Sequence, residues 1–275
     1  MMPDLRIKQA IAQSDVRGVK VVAWVEGLDI PEVERIAVLF GQRPSGVKCP
    51  LAHFACLFGK RHVAVVRVED RPGSEHILGF RFLIVAADLY RHLGDPFAIS
   101  DRFPPNWTTG PLPDLTWPAQ LLPERTLEQL NLILKNGDGP LLLGATQALV
   151  DGHRVLLMGT APNESLSRDL WQLLPDSTRR ELWPASYAFS NELRFHLAFG
   201  PSFQAPDHKP QLTEEALRDY PPGSYELNLQ IAVESGDRSS LRRLLARRSS
   251  DETLRLGLYM VAFAMLVAVL FRFVL

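Results

Sequence analysis

Sixteen consecutive residues near the C-terminus, Leu256 to Phe271 (LGLYMVAFAMLVAVLF), carry no charge and almost no hydrogen-bonding side chain. Followed by Arg272 and the closing Phe273, Val274 and Leu275, they make a stretch of about twenty residues that spans roughly 30 Å as a helix, the thickness of a bilayer's hydrocarbon core. The twelve Leu, Val and Phe residues from Leu256 onward favour insertion by ~4–7 kcal/mol. Arg272 opposes this, but three residues from the end it can snorkel to the headgroups. A central helix buried in a large soluble core is the competing reading. It fits less well, because no polar stripe interrupts the run and no later segment could cover it. The expectation is one C-terminal transmembrane helix over 256–275.

The flank of this run sets an orientation. Arg238, Arg242, Arg243, Arg247, Arg248 and Arg255 precede it, against Asp237, Asp251 and Glu252. By the positive-inside rule this flank, and the bulk of the chain before it, stays in the cytoplasm. The first fourteen residues lack the apolar core of a secretory signal. Two cysteines, Cys49 and Cys56, are too few for a disulfide scaffold, which agrees with a reducing interior. A net charge of −1 gives no global field toward nucleic acid, so no nucleic-acid partner is expected. The arginine group can also touch anionic lipid headgroups.

The rest reads as α+β, a mixed α/β cytoplasmic part in two lobes. Residues 1–95 form an N-terminal α+β domain. It has strands at Gly18–Val25 and His62–Val68, and a helix at Pro31–Phe40 opened by proline. Ile77–Leu89 fits a strand or a helix equally. Residues 96–123 hold seven prolines and two tryptophans and read as a linker or laid-down surface segment. Residues 124–205 form a middle α/β domain. Helices are expected at Glu124–Lys135, Pro140–Val150, Asn163–Leu174 and Pro175–Leu182, a buried strand at Arg154–Met158, and a strand pair from Ala185–Phe189 and Leu193–Phe199. Residues 206–255 are a loop and a helical hairpin, Ser224–Glu234 and Ser239–Arg248, with the basic juxtamembrane segment.

Candidate chemistry is sparse. Gly41–Lys48 (GQRPSGVK) imitates a phosphate loop, but Val47 separates Gly46 from Lys48 and no Ser or Thr follows for Mg²⁺, so a surface turn is expected. Cys49, His53 and Cys56 are zinc-ligand types, yet they lie in the apolar run Leu51–Phe58 or just before it, where buried thiols are ordinary core residues. A Cys–His nucleophile pair lacks a third orienting residue. His196 reads as a surface or satisfied half-core residue and Arg179-Arg180-Glu181 as a solvated charge run. Trp107, Trp117, Trp171 and Trp183 fit core covers better than partner anchors. No catalytic, cofactor-binding or metal residue is assigned, and no cofactor is expected.

Several segments carry a resemblance. Gly18–Leu28 (GVKVVAWVEGL), Arg43-Pro44 after the short helix, and Arg71–His76 (RPGSEH) leading into an apolar run look like the N-terminal domain of the bacterial GTPase-associated proteins of NTP-dependent conflict systems. Arg154–Met158 (RVLLM) and Leu173–Tyr187 (LLPDSTRRELWPASY) are similar to that family's middle domain. The resemblance touches residues ~15 to ~200 and stops after ~205, where the membrane helix stands in place of a large C-terminal region. It implies a non-enzymatic adaptor beside a GTPase or related NTPase and offers no catalytic residue. The expected function is therefore a membrane-tethered interaction module, its partners a lipid bilayer and a protein. The alternative is an enzyme of another type with its site between the two lobes.

Overall fold

The computed structural model describes residues 5–71, 77–118, 122–203 and 212–246. The expected transmembrane helix, Arg247, Arg248 and Arg255 of its flank, and the turn residues Pro72–Ser74 lie outside the described residues.

The chain opens with β1 (Arg6–Asp15) and β2 (Gly18–Trp24), then α1 (Ile30–Leu39), β3 (Ala52–Phe58), β4 (His62–Asp70) and β5 (Leu78–Ala86). β2–β1–β5–β4–β3 form a continuous antiparallel meander-like sheet. β5, the ambiguous run, is a strand: every residue from Leu78 to Val85 is buried, because both faces of the sheet are covered at that point. α2 (Ala87–Leu93) follows directly. β1 lies at the centre of this half, although its Lys, Gln and Ala content gives little sign of it.

The proline-rich stretch holds regular structure, contrary to expectation. α3 (Pro96–Arg102) starts with Asp95 as N-cap and Pro96 in the first turn, where the missing N–H leaves no bond unmade. Two short strands, β6 (Gly110–Pro111) and β7 (Leu115–Thr116), add to β2 and β1. Gln9 Nε2 donates to the Pro113 carbonyl at 2.5 Å, and Trp117 is buried. The segment is laid over one face of the sheet, where Ile99 and Trp117 pack on Ile7, Val65 and Val85.

The second half runs α4 (Leu127–Asn136), α5 (Gly139–Val150), β8 (Val155–Met158), α6 (Glu164–Leu173), α7 (Asp176–Glu181), β9 (Pro184–Ala185), β10 (Leu197–Gly200), α8 (Glu214–Arg218), α9 (Ser224–Ser235) and α10 (Arg238–Leu245). Each helix expected within the described residues of this half is present, and side-chain caps explain most starts: Thr126 with Gln129 makes a capping box, and Asp138, Asn163 and Asp237 cap α5, α6 and α10. β9 and β10 do pair, in parallel, and β8 adds in parallel beyond β10. α5 is buried from Leu141 to Leu149 and is the hub of this half.

The two lobes share one mixed ten-stranded sheet, joined where β3 meets β9 at Phe54↔Ala185. Residues from Ala10 to Leu245 belong to a single apolar cluster. Phe40, at the end of α1, stacks on Phe54 at 5.2 Å and meets Phe80 and Phe189 edge-on. Gly41 follows with φ +106, and a Cβ there would sit 2.8 Å from the Ser190 backbone nitrogen. Glycine is thus demanded twice at the place where the halves touch.

The tightest helix crossing gives a test. A Cβ on Gly144 of α5 would lie 1.9 Å from the Leu217 carbonyl oxygen of α8. Gly144→Ala should lower the unfolding free energy by about 2 kcal/mol or more, read as a shift in urea midpoint. Leu132→Ala, on an exposed position of α4, should stay within about 0.5 kcal/mol of the parent.

Candidate functional site

The most elaborate polar arrangement lies where α2 and α3 meet α6 and α7. Gly94, with φ +64, ends α2 and turns its carbonyl toward the second half. That carbonyl accepts from Trp171 Nε1 at 2.9 Å and from Arg179 Nε at 3.0 Å. Asp95 uses one oxygen to cap α3 through the Ala98 N–H, at 3.0 Å. The other accepts from the Arg179 guanidinium at 2.6 Å and from Gln172 Nε2 at 3.0 Å. Both side chains of the Asp95–Arg179 pair are only 6% exposed. Arg179 is therefore not on a solvated face, as the charge run suggested; only Arg180 and Glu181 are exposed. The short helix α7 sits against the α2–α3 turn, which supplies Arg179 with a carbonyl and a carboxylate.

A second guanidinium extends this floor. Arg125, just before α4, donates to the carbonyls of Gln172 and Leu174 and to Asp176 at 2.5 Å. Burial pushes Arg125 down to about 10, and the neighbouring Arg179 charge adds to this, with Asp176 opposing. Above the two arginines opens a groove of about 860 Å³ between α4 and α10. Leu127, Leu132 and Ile133 of α4 and Leu241 and Leu245 of α10 line its walls. Arg180, Arg238 and Arg242 stand at its rim. Arg238 pairs with Glu128 at 2.5 Å and Arg242 with Glu124 at 3.4 Å, tying α10 to the α4 side. On the floor Asp95 gives both oxygens to protein donors, and Asp176 gives Oδ1 to Arg125. The groove has the shape and donors of a binding surface.

A second cluster lies nearby. His53 of β3 and Glu164 at the start of α6 meet at 2.7 Å, and Arg168 bridges Glu164 to Asp101 of α3. Burial alone would raise the Glu164 carboxyl, but His53, a hydrogen bond with Ser186 and the Arg168 charge hold it down at about 2. The His53 N–H of the backbone donates to Ser186 Oγ, at 2.8 Å. Histidine, glutamate and serine resemble a hydrolytic trio in type only. His53 is 1% exposed, its Nε2 is buried without a hydrogen-bond partner, and its ring faces Phe97. No substrate carbonyl could reach it, so the cluster ties β3, α3 and α6 together.

The sequence candidates fall apart in space. Gly41–Lys48 is a turn region after α1, with no helix opening on it. Cys49 and Cys56 are free and buried; burial pushes Cys49 up to about 12 and Cys56 higher still. Strand alternation points His53 and Cys56 to opposite faces. Among the described residues no group of three or more His, Cys, Asp and Glu could hold a metal, and no helix is long and apolar enough to cross a membrane. His196 is half-buried and accepts the Trp183 N–H at 3.0 Å. Trp171 and Trp117 are core residues, while Trp107 donates to Glu69 under the Arg71 guanidinium. The residues missed, Asp95, Arg125 and Glu164, lie far apart in sequence. Only the Asp95-Pro96 helix start was open to local reading. Comparison with protein-family models, curated proteins and solved structures finds no match for the chain.

Two measurements probe these clusters. Asp95→Ala leaves the Arg179 charge buried and should cost about 3–5 kcal/mol. The double change Asp95→Ala with Arg179→Met should cost clearly less than the sum of the two singles; additive losses would mean the pair is not coupled. His196 is shifted from 6.5 to about 4, by burial first and by the Arg154 charge. The folded chain resists protonation there, so this contribution is whole above pH 6.5 and fades as pH falls toward 4. His196→Gln keeps an acceptor for Trp183, and should flatten the stability profile between pH 6.5 and 5 by on the order of 1 kcal/mol.

Proposed function

We propose that the chain is a membrane-tethered, non-enzymatic adaptor held by one C-terminal helix, with its bulk in the cytoplasm, working beside a partner NTPase. The observation that carries the tether is the uncharged run Leu256–Phe271 behind an arginine-rich flank. The described part of that flank supports it: α10 shows Arg238 at its start and Arg242 and Arg243 in its last turn to solvent. The NTPase rests on the resemblance of Gly18–Leu28 and Leu173–Tyr187 to the GTPase-associated proteins. A binding role is supported by the groove, whose floor is set by two paired guanidiniums, Arg125 and Arg179.

Fractionation tests the tether. The full chain should remain in the membrane pellet through alkaline carbonate washing. A chain stopped before Leu256 should be soluble and melt cooperatively. A full chain released by carbonate, or a truncation that aggregates without a cooperative melt, would show that 256–271 is a core helix and end this reading.

A further inference from the structure

Nine residues, 247–255, separate Ala246 at the end of α10 from Leu256. Fully extended they reach about 30 Å at most. With Leu256–Phe271 in a bilayer, as the proposed tether requires, the C-terminal end of α10, which lines the groove, is held within that distance of the headgroups.

The groove's rim carries three exposed guanidiniums, Arg180 of α7 and Arg238 and Arg242 of α10. Arg180 has no carboxylate partner among the described residues, which fits a donor awaiting an anion. Arg238 and Arg242 lean on Glu128 and Glu124, with all four side chains at least 61% exposed. Exposed pairs of this kind are weak and easily exchanged. A leaflet containing anionic lipid draws each nearby arginine with comparable strength. Beside the guanidiniums the walls are apolar, through the exposed Leu132, the half-buried Ile133 and the buried Leu241. Cations beside an exposed apolar wall at the mouth match a phospholipid at its interface, with the phosphate on the guanidiniums and the first acyl carbons on the wall, above the charged floor.

We propose that the α4–α10 groove docks an anionic phospholipid headgroup of the membrane that tethers the chain, a docking that rests on the tether itself. The phosphate takes Arg180, Arg238 and Arg242, displacing Glu128 and Glu124, and the first carbons of the acyl chain lie on Leu132 and Ile133. The glutamates make the site selective: a neutral surface gives the arginines no reason to leave them, and an anionic one does.

The full chain carrying Leu132→Cys is labelled with a fluorophore; Cys49 and Cys56 are buried, so the label goes to the groove. It is reconstituted into vesicles of phosphatidylcholine, alone or with about one third phosphatidylglycerol, each containing headgroup-nitroxide lipid. Quenching should be about two-fold stronger in the anionic vesicles, and the difference should vanish in high salt. Arg180→Gln with Arg238→Gln and Arg242→Gln should abolish it, and Glu124→Gln with Glu128→Gln should enlarge it. Equal quenching in the two vesicles, or a difference that survives the arginine changes, overturns the docking proposal while leaving the tether intact. So does soluble glycerol phosphate that shields the label in neutral vesicles, which would mean a small-anion site. A chain that fails to stay with either vesicle on sedimentation overturns the tether, and this proposal with it.

Discussion

Arg179 is the buried charge through which the two halves of the described chain are tied at the α2–α3 turn. It comes from a six-residue helix, too short to be stable alone. Its guanidinium fixes the carbonyl that ends α2 and the carboxylate that begins α3. Two helix termini of the first half are thereby positioned by one residue of the second. Burying the charge is expensive unless each donor finds an acceptor. Here Gly94 and Asp95 supply them from consecutive positions, and Trp171 and Gln172 donate to the same two groups. The geometry of the α2–α3 turn and the placement of α6–α7 are one problem with one solution.

That matters because the backbone joins the halves thinly. β3 and β9 share a single bridge, extended by the Ser186 N–H to the His53 carbonyl at 2.8 Å and by Phe189 and Ser190 donating to the Phe40 carbonyl. Side chains do the remainder. The Phe40 ring cluster fills the seam on one side, and the His53–Glu164–Arg168–Asp101 chain and the Asp95–Arg179 pair close it on the other. A seam made this way resists opening in proportion to how completely its polar groups are paired, because any partial opening exposes charges in a poorly hydrated place.

The sequence made the helices legible and the seam invisible, for physical reasons. α4, α6 and α10 begin with a residue whose side chain caps its own helix, a local event written within four positions. β1 was hidden because a strand covered on both faces can use alanine and glutamine where a half-exposed one would alternate. α3 was hidden by the weight of prolines around it, although Asp95-Pro96 is a helix start. Arg179 could not be told from Arg180 by type or spacing. What separates them is the α2–α3 turn 84 residues earlier. Glu164 and His53 are 111 residues apart, and no periodicity couples such positions.

The same contrast explains the character of the groove. Its floor is built from arginines whose acceptors are supplied by protein, several of them backbone carbonyls that cannot move away. Its rim is built from Arg180 and from two arginines whose acceptors are glutamates on long exposed chains. A ligand therefore meets a rigid floor and an exchangeable rim. Rigid donors already satisfied contribute shape more than affinity, whereas exchangeable ones respond to whatever anion competes best at the surface. Selectivity in this groove accordingly lies with α10 and the residues facing it, next to the segment by which the chain is proposed to be tethered.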